Sequence, residues 1–251
     1  MRLGAKWIKG EDNLLAFLDL LGTKEFYQNH DLNQQMERIS QLISSLLEGL
    51  EDRFEELERK QFLYVHMYGD SIVIAEKEKG AIANCADKLI QLMLGVQYKV
   101  LIDSSHTLSR ALVRRGPYYG MICGDDQTSL ESLCWNFSLV GGAALVEMDK
   151  TQLCGLPVGT YIDRSIIGET QIAENRLIVV DDDSLRFVKP KADFDFLRST
   201  LNGPQSIDDW VSQLIEESDN NEVFGKKLIP WGDAVQGRCN SIQRQHRNDE
   251  S

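Results

Sequence analysis

Apolar residues recur along this chain with two periods, and the switches between them lay out the elements. Leu14 to Leu18 is an unbroken apolar run that predicts a buried strand, with Asp19 at its end and Gly22 releasing the chain into a helix. Residues 1–12 carry no such pattern and read as a ragged lead-in. Thr23 is placed to cap a short turn carrying Phe26 and Tyr27. Asp31 then precedes Leu32, Met36, Ile39, Leu42, Ile43, Leu46, Leu47, Leu50, Phe54 and Leu57. That three-or-four spacing predicts a long amphipathic helix with an acidic outer face, laid on a sheet. Phe62 to Met67 and Ser71 to Ala75 are strand-like runs joined through Gly69-Asp70, the mark of a tight hairpin. A second helix follows over residues 81–101, with Ile82, Cys85, Leu89, Leu92 and Met93 on one side.

Leu108 to Gly120 reads as a strand, a turn at Gly116-Pro117 and a returning strand that ends at Cys123. The order is therefore strand, helix, hairpin, helix, hairpin. This is the α+β, ferredoxin-like β-α-β-β-α-β pattern with extra strands. A helix is expected within residues 130–152, with Gly141-Gly142 at its start. Residues 155–159 form a turn into a strand from Thr160 to Asp163, and two further strands, 178–180 and 185–188, flank the acidic turn Asp181-Asp182-Asp183. Residues 206–218 predict one more amphipathic helix, and the polar stretch from Gln243 to Ser251 a disordered tail. The division expected is one domain over 1–190 and a helical extension with its tail over 191–251.

Composition narrows the function. A net charge of −12 over 251 residues opposes nucleic acid as the main partner, because a phosphate backbone would be repelled. A small anionic substrate stays compatible if a metal and local basic residues neutralise it. Cys85, Cys123, Cys134, Cys154 and Cys239 show no C-x-x-C spacing and read as reduced thiols of a cytoplasmic protein. Four scattered histidines argue against a zinc site. No secretory leader pattern opens the chain, and the most apolar window, Leu89 to Ile102, is broken by Gln91, Gln97 and Lys99, so no membrane span is expected.

The candidate chemistry sits where apolar strands meet turns. If the first strand lies beside the hairpin, Asp19 and Asp70 converge at one sheet edge. Two close carboxylates raise each other's pKa unless a cation sits between them, and oxygen ligands suit Mg²⁺ or Mn²⁺. The same residues also fit a plainer assignment, Asp19 as a helix cap and Asp70 as a turn residue.

Phe17-Leu18-Asp19-Leu20-Leu21-Gly22, Tyr68-Gly69-Asp70-Ser71-Ile72-Val73-Ile74, the arginine-rich strand Arg110 to Gly116 and Gly141-Gly142-Ala143-Ala144-Leu145-Val146-Glu147 occur in the order, and on the elements, of a class III nucleotide cyclase catalytic domain. Over roughly residues 13–190 the chain resembles that family, and most the bacterial pyrimidine cyclases of Pycsar anti-phage defence. The resemblance implies a uridylate or cytidylate cyclase that uses two divalent ions, Mn²⁺ or Mg²⁺. It assigns the metals to Asp19, Asp70 and the backbone of Leu20. The turn Leu20, Leu21, Gly22 and Thr23 would cradle the triphosphate with its amides. It also implies a homodimer whose two active sites lie across the interface.

Where purine cyclases carry a base-reading lysine and acid, this chain has His66 and Leu139, which favours a pyrimidine, UTP ahead of CTP. Strand alternation puts Tyr64 and His66 on one side, where His66 is either a base contact or a satisfied half-buried histidine. The family's asparagine falls on Val146, and its transition-state arginine on Lys150, a point charge instead of a fork. Arg114 is a candidate to face substrate, with Arg115 beside it, while Arg110 reads as structural. Tyr118 and Tyr119 read as hairpin packing, and Lys189 and Lys191 as surface lysines. Three functions follow: a pyrimidine cyclase, a purine cyclase with an altered base pocket, or a catalytically silent cyclase fold used as an interaction module.

Overall fold

The computed structural model describes residues 5–21, 23–68, 71–103, 107–123, 138–141, 153–180, 184–189, 207–218, 222–238 and 241–243. Its centre is β1 (Ala5–Leu20), paired antiparallel with β3 (Ser71–Glu76) on one side and β4 (Ser109–Cys123) on the other. β2 (Leu63–Tyr68) flanks β3 antiparallel, so the first four strands stand in the order β2-β3-β1-β4. With the helices between them, this is the ferredoxin-like arrangement. The sheet continues through β6 (Gly159–Asp163), parallel to β4, then β8 (Leu185–Val188), β7 (Leu177–Val180) and β9 (Ser241–Ile242). β5 (Ser138–Gly141) pairs with the distal half of β4.

α1 (Thr23–Asn29), α2 (Leu32–Arg53), α3 (Glu56–Phe62) and α4 (Cys85–Asp103) connect the first four strands. α2 begins at a reciprocal cap: Asp31 Oδ1 accepts from the Gln34 amide and Gln34 Oε1 from the Asp31 amide, both at 3.0 Å. Leu42, Leu46 and Leu50 bury its inner stripe, each removing apolar surface worth about 2 kcal/mol. Leu32 and Met36, read as part of that stripe, remain 69% and 60% exposed, and Leu57 lies in α3 at 57%. The chain breaks at Phe54, which is buried beyond the last turn, so the expected single helix becomes two. Gln97 of α4 donates from Nε2 to the Ser109 carbonyl at 2.9 Å and bonds Thr160 Oγ1, which fixes α4 over the sheet face carrying Thr160. Side chains of opposite parity, Asp19, Ser71, Arg110 and His66 among them, share the other face.

Three expectations are corrected. The lead-in is the first half of β1: Ala5 to Gly10 pair with Tyr118 to Cys123. Its ladder depends on backbone groups and not on apolar patterning, which is why alternation misses it. Gly116-Pro117 is no turn but lies inside β4. Pro117 has no N–H to offer, and it stands opposite the register shift between Gly10 and Asn13, where no ladder bond is required. Ser138–Gly141, inside the span expected to hold a helix, is a strand; residues 142–152, with Lys150 and any helix opened by Gly142, lie outside the described residues.

α5 (Ile207–Ser218) and α6 (Glu222–Val235) lie in the expected C-terminal extension. Trp231 of α6 is buried against Tyr98 of α4, ring centroids 6.0 Å apart, and β9 adds to the main sheet through β7. Cys85 and Cys154 are free thiols, and burial pushes the Cys85 thiol pKa upward. Among the described residues no helix is long and apolar enough to cross a membrane.

Candidate active site

The central strands meet at one end of the sheet. β1 ends just past Asp19, β3 starts at Ser71 and β4 starts at Ser109, and the register sets Asp19 opposite both Ser71 and Arg110. The side chains close that junction. Ser71 Oγ donates to Asp19 Oδ1 at 3.0 Å, and Arg110 Nη2 to Oδ2 at 3.1 Å. Arg110 Nη1 also donates to the Leu153 carbonyl at 2.8 Å, tying the segment before β6 to the junction. Asp19 and Arg110 are 15% and 16% exposed, so their attraction is only partly screened. Asp70 lies outside the described residues; it immediately precedes Ser71.

The turn after Asp19 is held from beneath. The Leu21 amide donates to the Leu108 carbonyl at 2.8 Å, and the Leu21 carbonyl accepts from Arg38 Nη2 at 3.0 Å. Arg38 is buried and lies over the Phe26 ring, 4.4 Å from its centroid, which joins α2 and α1 to the turn. Leu20, opposite Ser109, and Leu21 are both buried, and Gly22 is outside the described residues. Thr23 starts α1 directly after this turn.

His66 shares its sheet face with Tyr64, ring centroids 6.1 Å apart, as strand alternation requires. It is 3% exposed, and Nε2 lies 2.8 Å from the Tyr118 hydroxyl. Burial lowers the imidazole pKa from 6.5 to about 4, so the ring is neutral at ordinary pH. The unfolded chain takes up a proton below pH 6.5 that the folded chain refuses down to about 4. Stability from this group is complete above pH 6.5 and lost as pH falls toward 4, by about 3 kcal/mol in all. Urea unfolding checks this: between pH 7 and pH 5 the His66→Gln variant should lose less stability than the parent chain.

Arg114 alternates with Arg110 onto the Asp19 face and is half-buried, its Nε donating to the Arg115 carbonyl at 3.0 Å. Arg115 points the other way. Its Nε and Nη2 grip the Glu169 carboxylate at 2.6 and 2.7 Å, with the Glu76 carboxylate 3.7 Å from Nη1. It is a strut between β3, β4 and the 3₁₀ turn Arg164–Glu169, so it leaves the substrate candidates. Leu139 stands on β5 opposite Met121. Among the described residues no three metal-ligating side chains cluster.

Sequence reasoning did not pick out Ser71, Arg38 or the Tyr118 hydroxyl. Ser71 was legible as the residue after Asp70. Arg38 carried the weaker signal of a cation inside an apolar helical stripe. Tyr118 needed the register of β4.

Comparisons place the fold. No protein-family model matches the chain, and no curated protein sequence does. Among solved structures, the adenylyl cyclase CyaB from P. aeruginosa aligns over 75% of this chain and 97% of its own, with a TM-score of 0.51 and 10% identity. The guanylate cyclase domain of RhGC from Catenaria anguillulae, in complex with GTP, aligns over 68% and 86%, at 0.46 and 12%. The guanylyl cyclase Cya2 aligns over 77% and 97%, at 0.46 and 9%. The chain has the class III cyclase catalytic fold.

Proposed function

We propose that this chain is a cytoplasmic pyrimidine nucleotide cyclase, closing UTP to 3′,5′-cyclic UMP and pyrophosphate as the second-messenger synthase of a Pycsar anti-phage system. The observation that carries the reading is the convergence of Asp19, Ser71 and Arg110 at the ends of the central strands of a cyclase fold. Asp19, the backbone of Leu20, and Asp70 would hold two divalent ions, Mg²⁺ or Mn²⁺. The donor set fits in its chemistry, because all of its atoms are hard oxygens. When bound, the ions ease deprotonation of the ribose 3′-hydroxyl and neutralise the leaving pyrophosphate.

The remaining work is positioning and charge, which is what phosphoryl transfer demands. Ser71 and Arg110 fix the plane of the Asp19 carboxylate. The turn from Leu20 to Thr23, braced by Arg38, takes the triphosphate. Lys150 and Arg114 offset charge on the phosphates, and His66 and Leu139 border the base. A homodimer would bring the base-reading and metal-holding halves together.

A second reading rests on one observation: Asp19 is already satisfied by Arg110, as a silent module would leave it. Incubation of the pure chain with Mn²⁺ and all four ribonucleoside triphosphates separates the two, with product masses read directly. Cyclic UMP is the expected main product. No cyclic product from any nucleotide, with Mg²⁺ or Mn²⁺, assigns the chain to the silent module. Sedimentation at micromolar concentration should show a dimer, and activity per subunit should fall on dilution; a monomer with undiminished activity excludes shared sites.

A further inference from the structure

His66 and Asp19 occupy one sheet face with β3 between their strands, at register positions Val73 and Ser71. A homodimer paired through this face would set the His66 of one subunit against the base of a nucleotide whose phosphates lie at Asp19 of the other. A neutral imidazole has one N–H and one lone pair. Nε2 is engaged by Tyr118, whereas Nδ1 is buried with no hydrogen-bond partner among the described residues.

Counting orphaned groups decides which nitrogen carries the hydrogen. Tyr118 is 2% exposed, and its hydroxyl meets His66 Nε2 and no other described group. If Nε2–H donated to the phenol oxygen, the Tyr118 hydroxyl hydrogen would itself be buried without an acceptor, and Nδ1 would still be unpartnered. If Tyr118 donates to Nε2, a single orphan remains, the Nδ1–H. Each buried unpartnered donor is destabilising, so the second arrangement wins.

We propose that Tyr118 locks His66 in the Nδ1–H tautomer, making His66 a lone buried donor that selects a keto nucleobase by the carbonyl oxygen that uracil bears at C4. The inference rests on the cyclase reading. It supplies the physical reason for UTP over CTP, since cytosine presents an amino group at that position and sets donor against donor. Guanine offers a similar carbonyl, so ring size and not this contact must exclude it. Tyr118 acts through His66 and is a positioning residue.

Two measurements on the full chain test it. With Mn²⁺ and equal UTP and CTP, the parent chain should favour cyclic UMP, and Tyr118→Phe, which frees both tautomers, should lower that preference about tenfold or more. An unchanged ratio, or cyclic CMP as the parent chain's main product, overturns the proposal. Independently, ¹⁵N shifts of the His66 ring in the parent protein should show hydrogen on Nδ1, and UTP should perturb that signal more than CTP. Hydrogen on Nε2, or equal perturbation by the two nucleotides, refutes it even if Tyr118→Phe fails to fold. Absence of any cyclic product would remove the cyclase reading while leaving the tautomer and the nucleotide response measurable.

Discussion

Asp19→Asn should lower turnover by about three orders of magnitude while the chain still folds. The loss has the size seen when a positioned electrostatic partner of a transition state is removed, since asparagine keeps the shape but not the charge that would hold cations. Stability should also fall, by about 1–3 kcal/mol, because Arg110 would keep its largely buried charge with no carboxylate to balance it. The double variant Asp19→Asn, Arg110→Gln separates the two effects. It removes the stranded cation and should regain most of the lost stability, yet it should regain no activity. Cyclic product yield and chemical unfolding, measured on the same preparations, decide. Full turnover by Asp19→Asn would end the metal assignment.

The second large effect lies at Gly159, where β6 passes Arg110 in register. Its φ of +145° is a conformation that side-chain-bearing residues rarely adopt. A Cβ there would stand 2.5 and 2.9 Å from ring carbons of Phe187 and 3.4 Å from Trp231. Phe187 cannot yield, because it is fully buried with its ring edge-on to Tyr161 at 5.7 Å. Gly159→Ala should therefore cost about 3 kcal/mol or more, strain and overpacking together. Gly232→Ala is the control. Its Cβ would meet the movable Cδ1 end of Ile215 and stand 3.0 Å from Cγ1 of the buried Val211, but its backbone carries no positive φ and alanine's helix preference offsets part of the adjustment. That variant should stay within about 1 kcal/mol of the parent. Because Gly159 faces Arg110 across the strand pair, Gly159→Ala should also reduce activity in whatever fraction stays folded. Equal urea midpoints for the two variants would show that the β6 packing is softer than this geometry requires.

Local signals carried much of the architecture. The Asp31 cap, the Leu42-Leu46-Leu50 stripe and the β2–β3 hairpin each follow from groups within a few residues, so their patterns survive without knowledge of the rest. The same locality explains the failures. Leu32 and Met36 obey helical spacing yet face solvent, because burial depends on where the sheet ends and not on the helix alone. Pro117 obeys a turn rule yet lies in a strand, because the shift that accommodates it is on β1, more than one hundred residues earlier.

The sequence by itself determined the α+β class, the strand-helix-hairpin-helix succession that leads up to β4, and the strand-end position of Asp19, since each rests on short-range periodicity and turn chemistry. Tertiary structure alone decided what surrounds those positions. It set Ser71 and Arg110 on the Asp19 carboxylate, carried Arg38 to the turn from α2, and brought Tyr118 to His66 across the sheet. The reason is register. Sliding one strand by a single residue would leave every local pattern intact, turn that strand's side chains to the opposite face and part each of these pairs that it shares.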